Sequence, residues 1–233
     1  MLLILMQEKI RFIVPTKKNK NDYTLTKPGI CLNSVDTNYI TILHNNNQGL
    51  PKIYNEILNT DTDSDIIVFM HDDVEIHDRF ILDKLKKAHE IYDIVGLAGA
   101  ETQDYNKSLA WHTASESNKL RGFVSHAIPA KYSPTKKPYI NSTFFGPTPS
   151  EVCVIDGLFI SINMKKCREL GKIPKFNDIF DFHFYDLSFC ADAKKQGLTI
   201  GVYPIFVIHY GLGDSMNSES WKFNAQLFQK FYK

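Results

Sequence analysis

The clearest pattern in the chain is an unbroken apolar run that ends in a polar cluster. Residues 66–70 read IIVFM and are followed directly by His71, Asp72 and Asp73. A short apolar run rich in β-branched and aromatic residues is typical of a strand that is buried on both faces. Open α/β sheets place their ligand sites at the carboxyl ends of such strands. The pattern therefore predicts a buried strand with a candidate site at its end.

The first part of the chain alternates between strand patterns and helix patterns. Short apolar runs predict strands at 10–14, 39–43, 66–70 and 94–98. Apolar residues at helical spacing predict one helix after Gly49 and a second over about 79–92, with Asp78 as its N-cap. Strands that alternate with helices favour a parallel sheet with helices on its faces.

The pattern changes between residues 100 and 150. This stretch is polar, rich in Ser, Thr and Pro, and contains scattered aromatic residues. We predict a long irregular loop here, and a loop of this length inside a domain is typically functional or partly disordered. Regular patterns return after it. They predict strands within 151–162 that break at Asp156–Gly157, helices near 164–170 and 184–196, strand material at 199–208, and a C-terminal amphipathic helix.

Composition narrows the classes of protein. The chain has 233 residues, of which 43% are hydrophobic and 23% charged, and this predicts one globular domain with a buried core. A net charge of +1 argues against a nucleic-acid-binding protein with a dominant basic surface. The apolar start MLLILM is shorter than the roughly 7–15 residues of a signal-peptide core. No run approaches the roughly 20 apolar residues of a transmembrane helix.

Cysteine spacing points to the same kind of protein. The four cysteines form no CxxC pair, which favours reduced, mostly buried thiols over a zinc site. We therefore predict a cytoplasmic protein without a transmembrane segment. Peripheral contact with a membrane stays open.

The first cluster that could carry chemistry follows the buried strand. Side chains two residues apart on a strand point the same way, so His71 and Asp73 can face one site while Asp72 faces another. Carboxylate oxygens suit a hard divalent cation, and Mn²⁺ also accepts imidazole. The alternative is a set of solvated loop charges.

The second cluster lies where a helix should begin, in the stretch FDFHFYD over residues 180–186. Asp186 falls in the first turn, where the helix dipole favours the ionised carboxylate. Such a carboxylate can take a proton from an attacking hydroxyl. The alternative is that Asp181 and Asp186 only cap the helix and the aromatic residues belong to the core.

Two further strand ends carry candidate residues. His209 ends the late strand and precedes Gly211 and Gly213, which predict a flexible loop near a ligand. A lone histidine at a strand end is more often structural, so its interest depends on whether it meets Asp73. The run from His44 to Asn47 follows the second strand and could hydrogen-bond a base or a ribose, although asparagine runs are common in turns.

The order of these motifs resembles that of GT-A-fold glycosyltransferases of the family 2 kind. The resemblance covers residues 10–100 and 150–233 and rests on IIVFMHDDVEI, EVCVIDGLFISI, FHFYDLSFCADAKKQG and VIHYG, in that order. It implies an α/β GT-A (Rossmann-like) fold with a mixed, mostly parallel sheet flanked by helices. It also implies a single domain over 1–233, divided into a nucleotide-sugar-binding half at 1–100, a variable region at 101–150 and an acceptor and catalytic half at 151–233.

The resemblance implies a metal-dependent, inverting transferase of the hexosyltransferase type. The donor would be a nucleotide-sugar, usually a UDP-sugar, and the acceptor a hydroxyl of a glycan or glycolipid, as in bacterial surface glycan synthesis. The cofactor would be a divalent metal, Mn²⁺ or Mg²⁺.

Individual roles follow from the same resemblance. Asp73 matches the DxD acid that binds the metal, and His209 looks like the late histidine that can complete the metal shell, with His71 as a third candidate ligand. Asp186 matches the general base. The remaining candidates are Asp156 and Gly157 for the acceptor loop, and Pro15, Thr16, His44, Asn45 and Asp72 for the nucleotide-sugar.

The chain departs from the family pattern at two positions. His71 replaces the leading Asp of DxD, and Tyr185 replaces the Glu of the usual Glu-Asp pair before the base helix. Two other functions stay open. One is a nucleotide-sugar or glycan-binding protein that has lost turnover, and the other is an HD-type metal phosphohydrolase, suggested by the pair His71 and Asp72.

Overall fold

The computed structural model describes residues 8–35, 39–211 and 218–233. The apolar start of the chain and the predicted glycine loop beyond Gly211 therefore lie outside the described residues. Thirteen strands are described: β1 Ile10–Pro15, β2 Ile40–Leu43, β3 Ile66–Met70, β4 Val74–Ile76, β5 Ile94–Gly96, β6 Ala98–Ala100, β7 Leu120–Ile128, β8 Tyr139–Gly146, β9 Ser150–Glu151, β10 Val154–Ile155, β11 Phe159–Asn163, β12 Ile200–Val202 and β13 Val207–His209.

Seven α-helices accompany these strands in the described ranges: α1 Lys20–Thr24, α2 Lys27–Leu32, α3 Leu50–Thr60, α4 Ile81–His89, α5 Met164–Glu169, α6 Tyr185–Lys195 and α7 Glu219–Tyr232. Helix α3 presents Ile53, Tyr54 and Leu58 to the core, and α4 presents Ile81 and Leu85. In the described part of the chain, no helix is long and apolar enough to cross a bilayer.

The larger sheet has seven strands in the order β2-β1-β3-β11-β5-β12-β9. Every residue of β3 is buried, as its apolar run predicts. Strand β3 pairs in parallel with β1 and antiparallel with β11. The predicted mixed α/β class is confirmed. Within this sheet, parallel pairing is limited to β1 with β2 and β3, and to β5 with β12, so antiparallel pairs are more frequent than the alternating pattern implied.

A second sheet builds one side of the site. Its strands follow the order β10-β6-β7-β13-β4, and β8 pairs with β7. Strand β13 lies between β4 and β7, antiparallel to the first and parallel to the second. Residues distant in the chain therefore meet at the end of β13.

Three local predictions were wrong. The stretch predicted as an irregular loop contains β7 and β8, which form an antiparallel pair from Gly122–Gly146 to Ile128–Tyr139. The predicted strand at 94–98 is divided between the two sheets, because β5 ends at Gly96 and β6 begins at Ala98. Asp78 is not the N-cap of α4. That position is Phe80, and Asp78 binds Lys84 and the backbone N–H of Phe206 instead.

The other element predictions agree closely with the structure. The break at Asp156–Gly157 separates β10 from β11, and Asp186 lies in the first turn of α6. Helices α5 and α6 are followed by Gly171 and Gly197, whose φ angles of 64° and 75° suit glycine. All four cysteines are free thiols.

Candidate functional site

The polar residues after β3 point in opposite directions, as the strand geometry predicts. Asp72 Oδ2 accepts hydrogen bonds from Thr16 Oγ1 at 2.5 Å and Lys18 Nζ at 2.8 Å. Asp73 Oδ1 faces the other way and lies 3.3 Å from His209 Nε2. The end of β3 therefore serves two separate polar clusters.

His71, Asp73 and His209 form a cluster that could hold a metal ion. Each offers one ligand atom, and these atoms all lie within 4.8 Å of one another. Strand pairing explains the meeting, because His209 in β13 is opposite Val74 in β4, and the N–H of Tyr210 donates to the carbonyl of Asp73 at 2.8 Å. The three predicted metal ligands are thus brought together.

The charges of the cluster are complementary. Burial would raise the pKa of Asp73, but the imidazoles of His209 and His71 outweigh burial and lower it. Burial would lower the pKa of His209, but the Asp73 carboxylate raises it. In His71, burial prevails and lowers the pKa, which favours the neutral ring that a metal needs.

Two observations fit a bound cation. Asp73 Oδ1 is buried and, although His209 Nε2 lies 3.3 Å away, accepts no hydrogen bond of good geometry from the described residues. A Cβ at Gly211 would lie 2.5 Å from His209 Nε2 and 2.8 Å from Asp73 Oδ2, so only glycine leaves the cluster open there. Two imidazoles and a carboxylate suit Mn²⁺ better than Mg²⁺, which prefers oxygen ligands.

A hydrogen-bonded chain joins this cluster to the loop at Asp156 and Gly157, between β10 and β11. His71 Nε2 lies 2.8 Å from the hydroxyl of Tyr185, which donates to the carbonyl of Gly157 at 2.7 Å. Burial raises the pKa of Tyr185 well above its ordinary value, so the hydroxyl keeps its proton. The close approach requires glycine, because a Cβ at Gly157 would lie 2.4 Å from the Tyr185 hydroxyl.

Asp186 lies on the other side of Gly157. Its Oδ2 accepts from the N–H of Gly157 at 3.1 Å, and its Oδ1 accepts from the N–H of Leu187 at 2.9 Å. Burial and the nearby Asp156 carboxylate raise the pKa of Asp186 to about 7. The helix dipole was expected to favour the ionised form, but these two effects outweigh it. The result is a carboxyl group poised to exchange a proton near neutral pH.

Asp156 is held by two donors. Trp111 Nε1 donates to Oδ2 at 2.8 Å, and the N–H of Leu158 donates to Oδ1 at 3.0 Å. Trp111 is only 7% exposed and comes from the stretch that precedes β7. The region after residue 100 thus contributes a side chain that holds the loop at Asp156 and Gly157.

The predicted nucleotide residues lie at the ends of β1 and β2. Pro15 ends β1, and the N–H of Asn46 donates to the carbonyl of Thr16 at 2.8 Å, which joins the two strand ends. Asn45 has a positive φ of 54° and donates its N–H to the carbonyl of Lys18. The Nδ1 of His44 is buried without a hydrogen-bond partner in the described ranges.

Sequence reasoning missed two residues that contact the cluster. His126, to which no role was assigned, faces His209 across β7 and β13, with their Nδ1 atoms 3.3 Å apart. Tyr185 was noted only as a departure from the family pattern. Neither has a local signal, because the contacts span 83 residues for His126 and 114 for Tyr185.

Comparison with known proteins gives a family match over most of the chain. A family model described as "Glycosyltransferase like family" matches residues 32–231. No curated protein matches the chain in sequence.

Solved structures show weaker likenesses. A197 from STIV is 16% identical with a TM-score of 0.47, and the match covers 84% of this chain and 82% of that one. GalNAc-T7, crystallised with UDP, GalNAc and Mn²⁺, is 7% identical with a TM-score of 0.49, covering 89% of this chain and 44% of that one. TarS from S. aureus, residues 1–349, is 12% identical with a TM-score of 0.47, covering 87% and 60%. With TM-scores this low, the family match and the site geometry carry the functional assignment.

Proposed function

The chain belongs to the glycosyltransferase-like family, and from that premise we propose that it moves a sugar from a UDP-sugar to a hydroxyl acceptor with inversion. The observation that carries this proposal is the position of Asp186. Its carboxyl group, with a pKa of about 7, is joined to the His71, Asp73 and His209 cluster through Gly157 and Tyr185.

Asp186 is proposed as the general base. The N–H groups of Gly157 and Leu187 fix the orientation of its carboxylate. In the ionised form, the carboxylate would take the proton from an acceptor hydroxyl as that oxygen attacks the anomeric carbon. A base with a pKa near the working pH combines a useful ionised fraction with adequate basicity. One displacement at the anomeric carbon inverts its configuration.

His71, Asp73 and His209 are proposed to hold a divalent cation, Mn²⁺ in preference to Mg²⁺. Such a cation, when bound, neutralises the negative charge that develops on a diphosphate leaving group. The residues themselves fix the position of the site: Asp73 supplies the negative charge, and Gly211 leaves space above it.

The donor nucleotide is proposed to lie along the ends of β1 and β2. Pro15 and Thr16 shape this edge, and Asp72 is held by Thr16 and Lys18. His44 offers a buried ring nitrogen without a partner among the described residues, and Asn45 lies next to it. These groups can hydrogen-bond a base or a ribose.

The acceptor is proposed to approach over Asp156 and Gly157, beside Trp111. A glycan or glycolipid fits the resemblance to enzymes of bacterial surface glycan synthesis, and a glycolipid would bring the protein to a membrane surface. The phosphohydrolase alternative has little support, because His71 and Asp72 follow a strand rather than lying on the helices typical of HD-type proteins.

The test is a donor screen followed by one substitution. Thermal shifts with nucleotide-sugars, with and without Mn²⁺, should identify a donor whose stabilising effect requires the metal. With that donor, Asp186→Asn should bind normally and lose most turnover. If the wild type binds a donor but never releases UDP, the protein would instead be a nucleotide-sugar-binding protein that has lost turnover.

A further inference from the structure

The hydrogen bonds around Tyr185 determine which nitrogen of His71 is free. The Tyr185 hydroxyl has one proton, and it donates that proton to the carbonyl of Gly157, which can only accept. The 2.8 Å contact with His71 Nε2 therefore requires a proton on Nε2. In a neutral ring this leaves the lone pair on Nδ1.

A second contact determines which ring nitrogen of His209 carries the proton. The Nδ1 atoms of His209 and His126 are 3.3 Å apart, so one of them carries a proton. His126 also hydrogen-bonds the carbonyl of Gly211, which can only accept, and we assign that proton to Nε2 of a neutral His126 ring because Nδ1 faces His209. His126 Nδ1 is then the acceptor, and His209 donates from Nδ1. This leaves the His209 Nε2 lone pair on the side of Asp73.

We propose that Tyr185 and His126 are positioning residues that fix the tautomers of His71 and His209, so that both rings present lone pairs beside Asp73. The consequence is a site with two nitrogen ligands and one carboxylate ligand, which should bind Mn²⁺ more tightly than Mg²⁺. This inference rests on the metal role proposed above. It explains why His71 can stand where the family pattern has an aspartate.

Mn²⁺ affinity, measured on the full chain without any nucleotide, tests the role of Tyr185. Tyr185→Phe removes the partner of His71 and should weaken Mn²⁺ binding by about 10–100-fold, the usual effect of losing such a partner. Tyr54→Phe is the matched control, because the Tyr54 hydroxyl is buried without a hydrogen-bond partner in the described ranges and its ring lies 6.1 Å from that of Tyr185. Equal affinities in the two variants would overturn the proposal for Tyr185.

His126 is tested by a pair of substitutions. His126→Leu removes the acceptor and should weaken Mn²⁺ binding, whereas His126→Gln keeps a carbonyl acceptor and should restore most of it. His112→Leu is the control, because His112 is exposed. Pulsed electron paramagnetic resonance of bound Mn²⁺ should show nitrogen coupling that decreases in His126→Leu and Tyr185→Phe. Unchanged nitrogen coupling in both would contradict the assignment.

Two further measurements do not depend on these variants folding. Histidine ¹⁵N spectra of the metal-free wild type should show a proton on Nε2 of His71 and on Nδ1 of His209, and a His71 proton on Nδ1 would overturn the proposal. His71→Asp should lower the ratio of Mn²⁺ to Mg²⁺ affinity. Because these experiments use metal alone, normal selectivity in a protein that transfers no sugar would contradict only the proposed transferase.

Discussion

The His71 ring and the Tyr185 hydroxyl are hydrogen-bonded at 2.8 Å, and these are the two positions where the chain departs from its family pattern. The departures are therefore one contact rather than two independent changes. A carboxylate at the first position needs no fixed tautomer, whereas an imidazole does, and Tyr185 supplies the partner that fixes it. The contact also reaches Gly157, so it links the candidate metal ligands to the loop that holds Asp186.

Replacement of the proposed base should separate binding from turnover. Asp186→Asn keeps the shape of the side chain but cannot take a proton, so kcat should fall by about 10²–10⁴-fold, the usual contribution of general-base catalysis. Donor affinity measured by calorimetry should stay close to that of the wild type. The control is Asp83→Asn, which removes an exposed first-turn carboxylate from α4. Equal losses of affinity and turnover would mean that Asp186 is structural.

The raised pKa of Asp186 sets the pH dependence of turnover. Its pKa of about 7 means that the carboxyl group is protonated below neutral pH and cannot act as a base there. The rate should therefore rise with pH up to about 7 and level off above it. Asp156→Asn removes the neighbouring negative charge, so it should lower the pKa of Asp186 and move the midpoint to lower pH. A midpoint that does not move would show that Asp156 has no part in the shift.

Much of this site could be predicted from the sequence because its main elements have strong local signals. The run at 66–70 predicts a strand buried on both faces, and the helical pattern after Tyr185 places Asp186 in a first turn. The hairpin of β7 and β8 was not predicted. Most of β8 is exposed and its residues are polar and mixed, so no apolar alternation marks it as a strand.

The contacts that complete the site depend on strand pairing. His126 meets His209 only because β7 and β13 run in parallel with these two residues in register. Histidine spacing in the chain carries no information about such a pairing. The pKa of Asp186 likewise depends on burial and on Asp156, which are properties of the folded chain.

Gly211 gives a test of the candidate metal position. In Gly211→Ala the added Cβ would lie 2.5 Å from His209 Nε2, so Mn²⁺ affinity should fall sharply while the circular dichroism spectrum stays unchanged. Gly171→Ala should instead lower the stability of the protein and leave its Mn²⁺ affinity unchanged. Its φ of 64° is strained for alanine, at a cost of about 1–2 kcal/mol in unfolding free energy, with no atom nearby to disturb. A Gly211→Ala protein with wild-type Mn²⁺ affinity would place the cation elsewhere.

Asp73 should make donor binding depend on Mn²⁺. Asp73→Ala removes the only carboxylate of the three-residue cluster, so Mn²⁺ should no longer strengthen donor binding in a thermal-shift titration. Asp63→Ala is the control, because the side chain of Asp63 is 84% exposed and pairs only with Lys9 among the described residues. Mn²⁺-dependent donor binding that survives in Asp73→Ala would contradict the assigned ligand.

The most direct measurement is release of UDP from a panel of UDP-sugars, with water taking the place of the acceptor, in Mn²⁺ and after chelation. The wild type should release UDP from at least one donor only when Mn²⁺ is present. Asp186→Asn should release it at least about 10²-fold more slowly, which is the lower end of what a general base contributes. Release that is equal in Mn²⁺ and chelator, or equal in wild type and Asp186→Asn, would contradict sugar transfer at this site.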